Sequence, residues 1–174
     1  MADPFSLVYD ALFDLAFAHP GLNEMVKAKN RASYTSETNR TDPVKDKILT
    51  DDVPEIVLLS LGVTSGNLHA TSSTSKVTRR YAFHITTGDF RLNKFVLPIE
   101  WALCCALVDW KETLTTLKWP VESDWSYVKH CQIADISEGF ADAEKNRGIR
   151  GWSAVWACDL EMHFKTADLK AEME

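Results

Sequence analysis

Trp152-Ser153-Ala154-Val155-Trp156-Ala157-Cys158-Asp159-Leu160-Glu161-Met162-His163-Phe164 is the stretch on which the fold turns. Trp152, Ala154, Trp156, Cys158, Leu160, Met162 and Phe164 fall on one side of an extended chain. Ser153, Val155, Ala157, Asp159, Glu161 and His163 fall on the other. Successive side chains of a strand point to opposite faces, so this alternation predicts a long strand with one covered face. Upstream, Val77, Tyr81, Phe83 and Ile85 alternate with Thr78, Arg80, His84 and Thr86, which predicts a second such strand ending at Gly88-Asp89. Pro54 introduces a third, Glu55-Ile56-Val57-Leu58-Leu59-Ser60-Leu61, and residues 125–136 make a fourth, with Val128, His130 and Ala134 on one face.

Two helices complete the set. Asp3-Pro4 joins a capping carboxylate to a residue suited to the first helical turn. Phe5, Val8, Leu12, Leu15 and Ala16 then make one helical face as far as His19-Pro20-Gly21, with a short turn around Leu22, Met25 and Val26. Val96, Ile99, Leu103, Ala106, Leu107, Trp110, Leu114 and Leu117 predict one long helix from about Leu92 to Lys118, closed by Trp119-Pro120. The fold class is therefore α+β: an antiparallel sheet of four or more strands with two helices packed on one face.

The 174 residues suit one core, so residues 1–174 read as a single domain. A long polar loop at about 30–53 is either functional or disordered. Ser137 to Gly151 reads as an extended hairpin connection, and a disordered C-terminal tail is expected from about 166. The formal net charge of -6 argues against non-specific nucleic-acid binding, which relies on a basic surface. The N-terminus lacks a secretory pattern, and the most apolar stretch, Phe95 to Trp110, is broken by Glu100 and Asp109, so no membrane span is expected. Cys104, Cys105, Cys131 and Cys158 have no C-x-x-C spacing and read as reduced, buried thiols made in a cytoplasm.

No nucleotide-binding, hydrolase or zinc-protease motif occurs, and Gly62-Val63-Thr64-Ser65-Gly66 is a turn rather than a phosphate cradle. His84, His130 and His163 lie on predicted strands, where a metal triad competes with ordinary strand positions, and the latter is the preferred reading. Cys104, one residue past Leu103, reads as packing rather than a nucleophile. Asp159 and Glu161 share a polar strand face, where solvation is expected rather than acid–base work. The six tryptophans, Trp101, Trp110, Trp119, Trp125, Trp152 and Trp156, read as core or subunit-interface packing rather than a stacking platform. Catalytic residues, cofactor and metal are accordingly assigned as none, and the chain is expected not to be an enzyme.

The element order resembles the tail-terminator (tail-completion) and minor tail proteins of long-tailed bacteriophages. The residues carrying the resemblance are the strand Pro54-Glu55-Ile56-Val57-Leu58-Leu59, the Ser/Thr-rich hairpin, the strand Arg79-Arg80-Tyr81-Ala82-Phe83-His84-Ile85, the following helix and the closing strands ending with Trp152 to Phe164. They fall within roughly residues 5 to 165. The resemblance implies a virion structural protein of a phage or prophage, made in the bacterial host cytoplasm and placed in the tail or neck. Such a protein assembles as a homo-oligomeric ring, expected to be hexameric, that caps the tail tube and joins it to the head connector. Its implied partners are further copies of itself, the tail-tube protein and head–tail connector proteins. DNA would pass through the lumen without specific binding, and six copies at -6 would carry a formal charge of about -36. Arg147 and Arg150, in the polar connection, are the candidate subunit-interface residues. The alternatives are a small ligand-binding or catalytic α+β domain, with its site between sheet and loops, and another head–tail connector protein.

Overall fold

The computed structural model describes residues 3–27, 31–33, 54–68, 72–87, 96–120, 122–141 and 151–171. Helix α1 (Pro4–Ala18) is followed by α2 (Pro20–Met25), and strands β1 (Arg31–Ser33), β2 (Glu55–Asn67) and β3 (Thr74–Thr87) come next. Helices α3 (Val96–Ala106) and α4 (Trp110–Leu114), strands β4 (Val128–Ala141) and β5 (Gly151–Lys165) and helix α5 (Thr166–Ala171) complete the chain.

The sheet has five strands in the order β1-β2-β3-β5-β4. The four long strands pair antiparallel, as the alternation predicts, whereas β1 pairs parallel with Ile56–Leu58 of β2. Strand β1 lies within the 30–53 segment read as a loop: three residues are too few to show a periodicity. The rest of that segment, 34–53, lies outside the described residues.

Register places Tyr81 opposite Cys158, Phe83 opposite Trp156 and Ile85 opposite Ala154 and Ile56. These residues, with Leu58, Val77, Leu160, Met162 and Phe164, share one sheet face and one core cluster with Val8, Leu12, Leu22, Ile99, Leu103 and Leu114 of the helices. Each such large side chain withdrawn from water contributes about 1.5–3 kcal/mol. Of the residues expected to face the helices, Trp152 alone has a side chain outside the described set.

Three tyrosine hydroxyls fasten α1 to the sheet. Tyr9 Oη donates to the Leu58 carbonyl at 2.6 Å, Tyr81 Oη to that of Phe5 at 3.1 Å, and Tyr127 Oη to that of Pro4 at 2.9 Å. Burial pushes the pKa of Tyr81 and Tyr127 up, which keeps both hydroxyls available as donors. At the start of α1, Asp3 accepts from the backbone N–H of Phe5 and Ser6, both at 3.0 Å, and from Ser6 Oγ at 2.6 Å. Desolvation raises the Asp3 pKa, but the Ser6 hydroxyl and these backbone bonds outweigh it and hold the carboxyl below its ordinary value.

Several expectations are corrected. The long helix is broken at 107–109, where Val108 N–H donates to Cys105 and Trp110 N–H to Leu107, both across three residues rather than four. The turn leads into α4, which packs against β4 and buries Trp110 and Leu114. Thr115 and Thr116 then return their hydroxyls to the carbonyls of Lys111 and Thr113, and the chain reaches a cis Trp119–Pro120 peptide bond.

The phase of β4 also differs from a strict two-residue period. Register shifts at Lys129 and Ala134 each add one residue against β5, so Val128, Cys131, Ile133 and Ile136 share the core-facing side. His130 lies opposite Glu161, on the other side. The connection read from 137 is strand up to Ala141 and again from Gly151, and the tail read as disordered from 166 forms α5 as far as Ala171. Thr166 is buried there, and its N–H donates to the Ser73 carbonyl at 3.0 Å. Among the described residues no helix is long and apolar enough to cross a membrane.

Candidate functional site

Arg147 and Arg150 lie outside the described residues, so the candidate surface has to be built from the elements around them. Strand β4 pairs only with β5 among the described residues, and β2 beyond Leu58 pairs only with β3. The 14 residues of β4 thus form one border of the sheet. Backbone donors and acceptors along such a border suit pairing with another chain.

Over β5, the neighbour of that border strand, lies α3. Its buried side carries Ile99, Leu103 and Ala106, and its position across the sheet is fixed by two neighbours. A Cβ on Gly21 of α2 would lie 3.5 Å from the Ala102 Cβ, which puts the Ala102 side of α3 against α2. Buried Glu100 accepts a 3.0 Å hydrogen bond from Trp156 Nε1, which puts the Glu100 side over β5. The side beyond Glu100 therefore faces away from α2.

At about 100° per residue, Leu97, Trp101 and Cys104 share an arc of about 60° on that side, and Val108 continues it in the following turn. Leu97 is 52% exposed, Trp101 71% and Val108 73%, and Cys104 is exposed as well. On β4, Ile133 and Ile136, opposite Cys158 and Trp156, are 43% and 46% exposed although they point to the helix-bearing face. Single exposed apolar residues are ordinary, but four aligned along one side of a helix make a stripe.

The tryptophans divide accordingly. Trp110, Trp119 and Trp156 are core, Trp125 is half-buried beneath Lys129 Nζ at 4.0 Å from its ring centre, and Trp101 stands in solvent. The cysteines are free but not all buried: Cys104 is exposed and Cys105 intermediate, because both sit past the buried arc of α3. Burial pushes the Cys131 thiol up to about 11 and the Cys158 thiol up to about 12, so neither is a ready nucleophile at neutral pH.

The opposite sheet face is mixed: Val57, Ala82 and Ala157 are buried on it, beside the charged side chains of Arg80, Asp159 and Glu161. Asp159 and Glu161 do not stand in solvent as a like-charged pair, because each carboxylate has its own cation. Arg80 Nε and a terminal guanidinium nitrogen donate to the two Asp159 oxygens at 2.7 and 2.8 Å, in a two-pronged geometry. That carboxylate in turn raises the Arg80 pKa. Lys76 Nζ lies 2.6 Å and His163 Nε2 2.7 Å from the Glu161 oxygens, and these contacts hold the Glu161 carboxyl below its ordinary range.

His130 and His163 share this face near Glu161, but His84 lies opposite Val155, eight residues from His163 along β5, or about 26 Å away. The three histidines are thus not one cluster. Among the described residues no group of three or more His, Cys, Asp or Glu side chains could hold a metal ion.

One open cavity of about 550 Å³ lies where β5 passes into α5, lined in part by Ser73, Thr74, Trp125, Lys165, Thr166 and Lys170. Its hydroxyls, indole and lysines could receive an anionic ligand, and Asp168 is the nearest carboxylate along the chain. Sequence reasoning missed it because Ser72–Thr74, Trp125 and Lys165–Lys170 are far apart along the chain.

No protein-family model matches the chain, and no curated protein matches it.

Proposed function

We propose that the protein is a tail-terminator-like structural subunit that closes into a ring, hexameric by preference, on the end of a phage tail tube and joins it to the head connector. Its working contacts are with further copies of itself, with tail-tube protein and with connector proteins of the virion. It acts by assembly and not by chemistry. The observation that carries this reading is the border of the sheet at β4, which pairs only with β5 among the described residues. A heterologous ring requires two different surfaces on each subunit, and an outer strand whose far edge pairs with nothing among the described residues supplies one. The order of helix, proline-led strand, Ser/Thr hairpin, strand, helix and closing strand pair supports the same reading.

The test is sedimentation of the full chain at several concentrations, with and without tail-tube protein, followed by imaging of tube ends. A closed multimer that seats on tube ends is the expected outcome. A chain that stays monomeric at high concentration, with tail-tube protein present, overturns the proposal. Charge reversal at Arg147 and Arg150 together should weaken the assembly and leave the fold intact.

A second reading, a small ligand-binding domain, is favoured by the cavity beside Trp125. Titration with inorganic phosphate and with a nucleoside monophosphate separates the two. Saturable heat with either ligand, lost in Lys165→Ala, supports ligand binding, and no heat with either counts against it.

A further inference from the structure

We infer that the stripe Leu97, Trp101, Cys104 and Val108 on α3, continued by Ile133 and Ile136 on β4, is the surface on which a second copy of this chain docks. The inference rests on the self-assembly reading above and deepens it by saying which surface makes the contact.

Three observations select a second copy as the occupant. The first is area. The exposed fractions of Leu97, Trp101, Val108, Ile133 and Ile136 amount to roughly 500 Å² of apolar surface. A comparable area on the partner brings the total to about 1,000 Å², where stable interfaces begin, before any rim is counted. The second is charge. Copies carrying -6 repel one another, so a self-contact is favoured on a surface without ionised side chains. The side chains of this stripe are apolar or, at Cys104, a thiol that burial and neighbouring acids keep protonated.

The third is continuity with the border of the sheet. Ile133 and Ile136 belong to β4, whose outer edge pairs with nothing among the described residues, so one approaching copy can cover apolar stripe and backbone edge together. Trp101 lies midway along the stripe, at 71% exposure. Tryptophan in such a central position carries a large share of binding energy once neighbouring contacts exclude water. Asp109 and Lys111, both exposed, follow Val108 along the chain and would form a polar rim.

The test uses the full chain, Trp101→Ser, the double variant Trp101→Ser/Val108→Ser, and Leu61→Ser as a control on a different exposed apolar residue. Sedimentation velocity over a concentration series reads the association. The rate of Cys104 alkylation by a maleimide, followed by peptide mass spectrometry in the same series, reads coverage of the stripe. Near-UV circular dichroism confirms that each variant is folded.

Wild type and Leu61→Ser should associate alike, with Cys104 alkylation slowing as the assembly forms. Trp101→Ser should weaken association by at least about thirtyfold. If the double variant associates like wild type and Cys104 reacts equally fast in monomer and assembly, this inference falls while the ring reading stands. A wild-type dimer that never grows larger, and is lost in Trp101→Ser, upholds this surface and removes the ring. A wild type that stays monomeric overturns both. Should either variant fail to fold, protection of Cys104 in the wild-type assembly decides.

Discussion

Phe164 is the residue whose loss should cost this fold most. It is 2% exposed, near the end of β5, and three other aromatic rings surround it. Tyr127 stacks on it at 5.6 Å and 21°, Trp119 meets it edge-on at 5.7 Å and 87°, and Phe5 does so at 6.3 Å and 89°. The cluster therefore joins α1, the segment after α4 and the last strand.

Phe164→Ala removes the buried ring and leaves a cavity between elements that are far apart in sequence and cannot easily collapse into it. Buried Phe-to-Ala changes cost about 3–5 kcal/mol, and three lost ring pairs place this one toward the upper end. Domains of this size lose about 2–4 °C in Tm per kcal/mol, so the midpoint should fall by about 10–20 °C. Phe164→Leu keeps most of the apolar volume and should cost about 1.5 kcal/mol.

Urea unfolding followed by Trp fluorescence and far-UV circular dichroism gives both values, with an unchanged slope showing that the unfolded state is unaltered. A loss below about 1.5 kcal/mol for Phe164→Ala would refute the placement of this ring at the junction.

Asp3→Ala should cost about 1 kcal/mol at neutral pH by uncapping α1. Because the folded Asp3 pKa is depressed, this stabilisation is present above the unfolded carboxylate pKa and lost as pH falls through the folded value, so urea midpoints of wild type and Asp3→Ala should converge on acidification. Gly62 has φ +96° at a register shift of β2, so Gly62→Ala should destabilise by about 1 kcal/mol in the same assay, although a Cβ there meets nothing within 4 Å. In the dilute, unassembled chain a maleimide should label Cys104 well before Cys131 and Cys158, whose thiols are buried and raised to about 11 and about 12. Equal rates measured by mass spectrometry would contradict the burial.

Local chemistry was enough to define several elements. The alternation in Val77–Ile85 and Trp152–Phe164 assigns each side chain a face, because a strand's period of two holds wherever no residue is inserted. Asp3-Pro4 marks the start of α1 because capping is a matter of three or four adjacent residues. Alternation alone places Asp159 and Glu161 in solvent, whereas Arg80 and Lys76 reach them through the pairing of β3 with β5.

The candidate surface was legible only in part. The number of tryptophans reads as core or interface packing, but Trp101 and Trp110 are equally apolar in sequence, and only the packing of α2 and β5 against α3, and of α4 against β4, leaves the first exposed and the second buried. The phase of β4 depends on Lys129 and Ala134 bulging against β5, so no strict count along residues 125–136 could put Ile133 and Ile136 on the face of Cys158 and Trp156. The insertion of β5 between β3 and β4, which makes β4 a border, is likewise a choice among long-range pairings. Helix starts and strand periods are set by neighbours along the chain, whereas sheet order, bulge position and the exposed side of a helix are set by contacts between residues far apart in it.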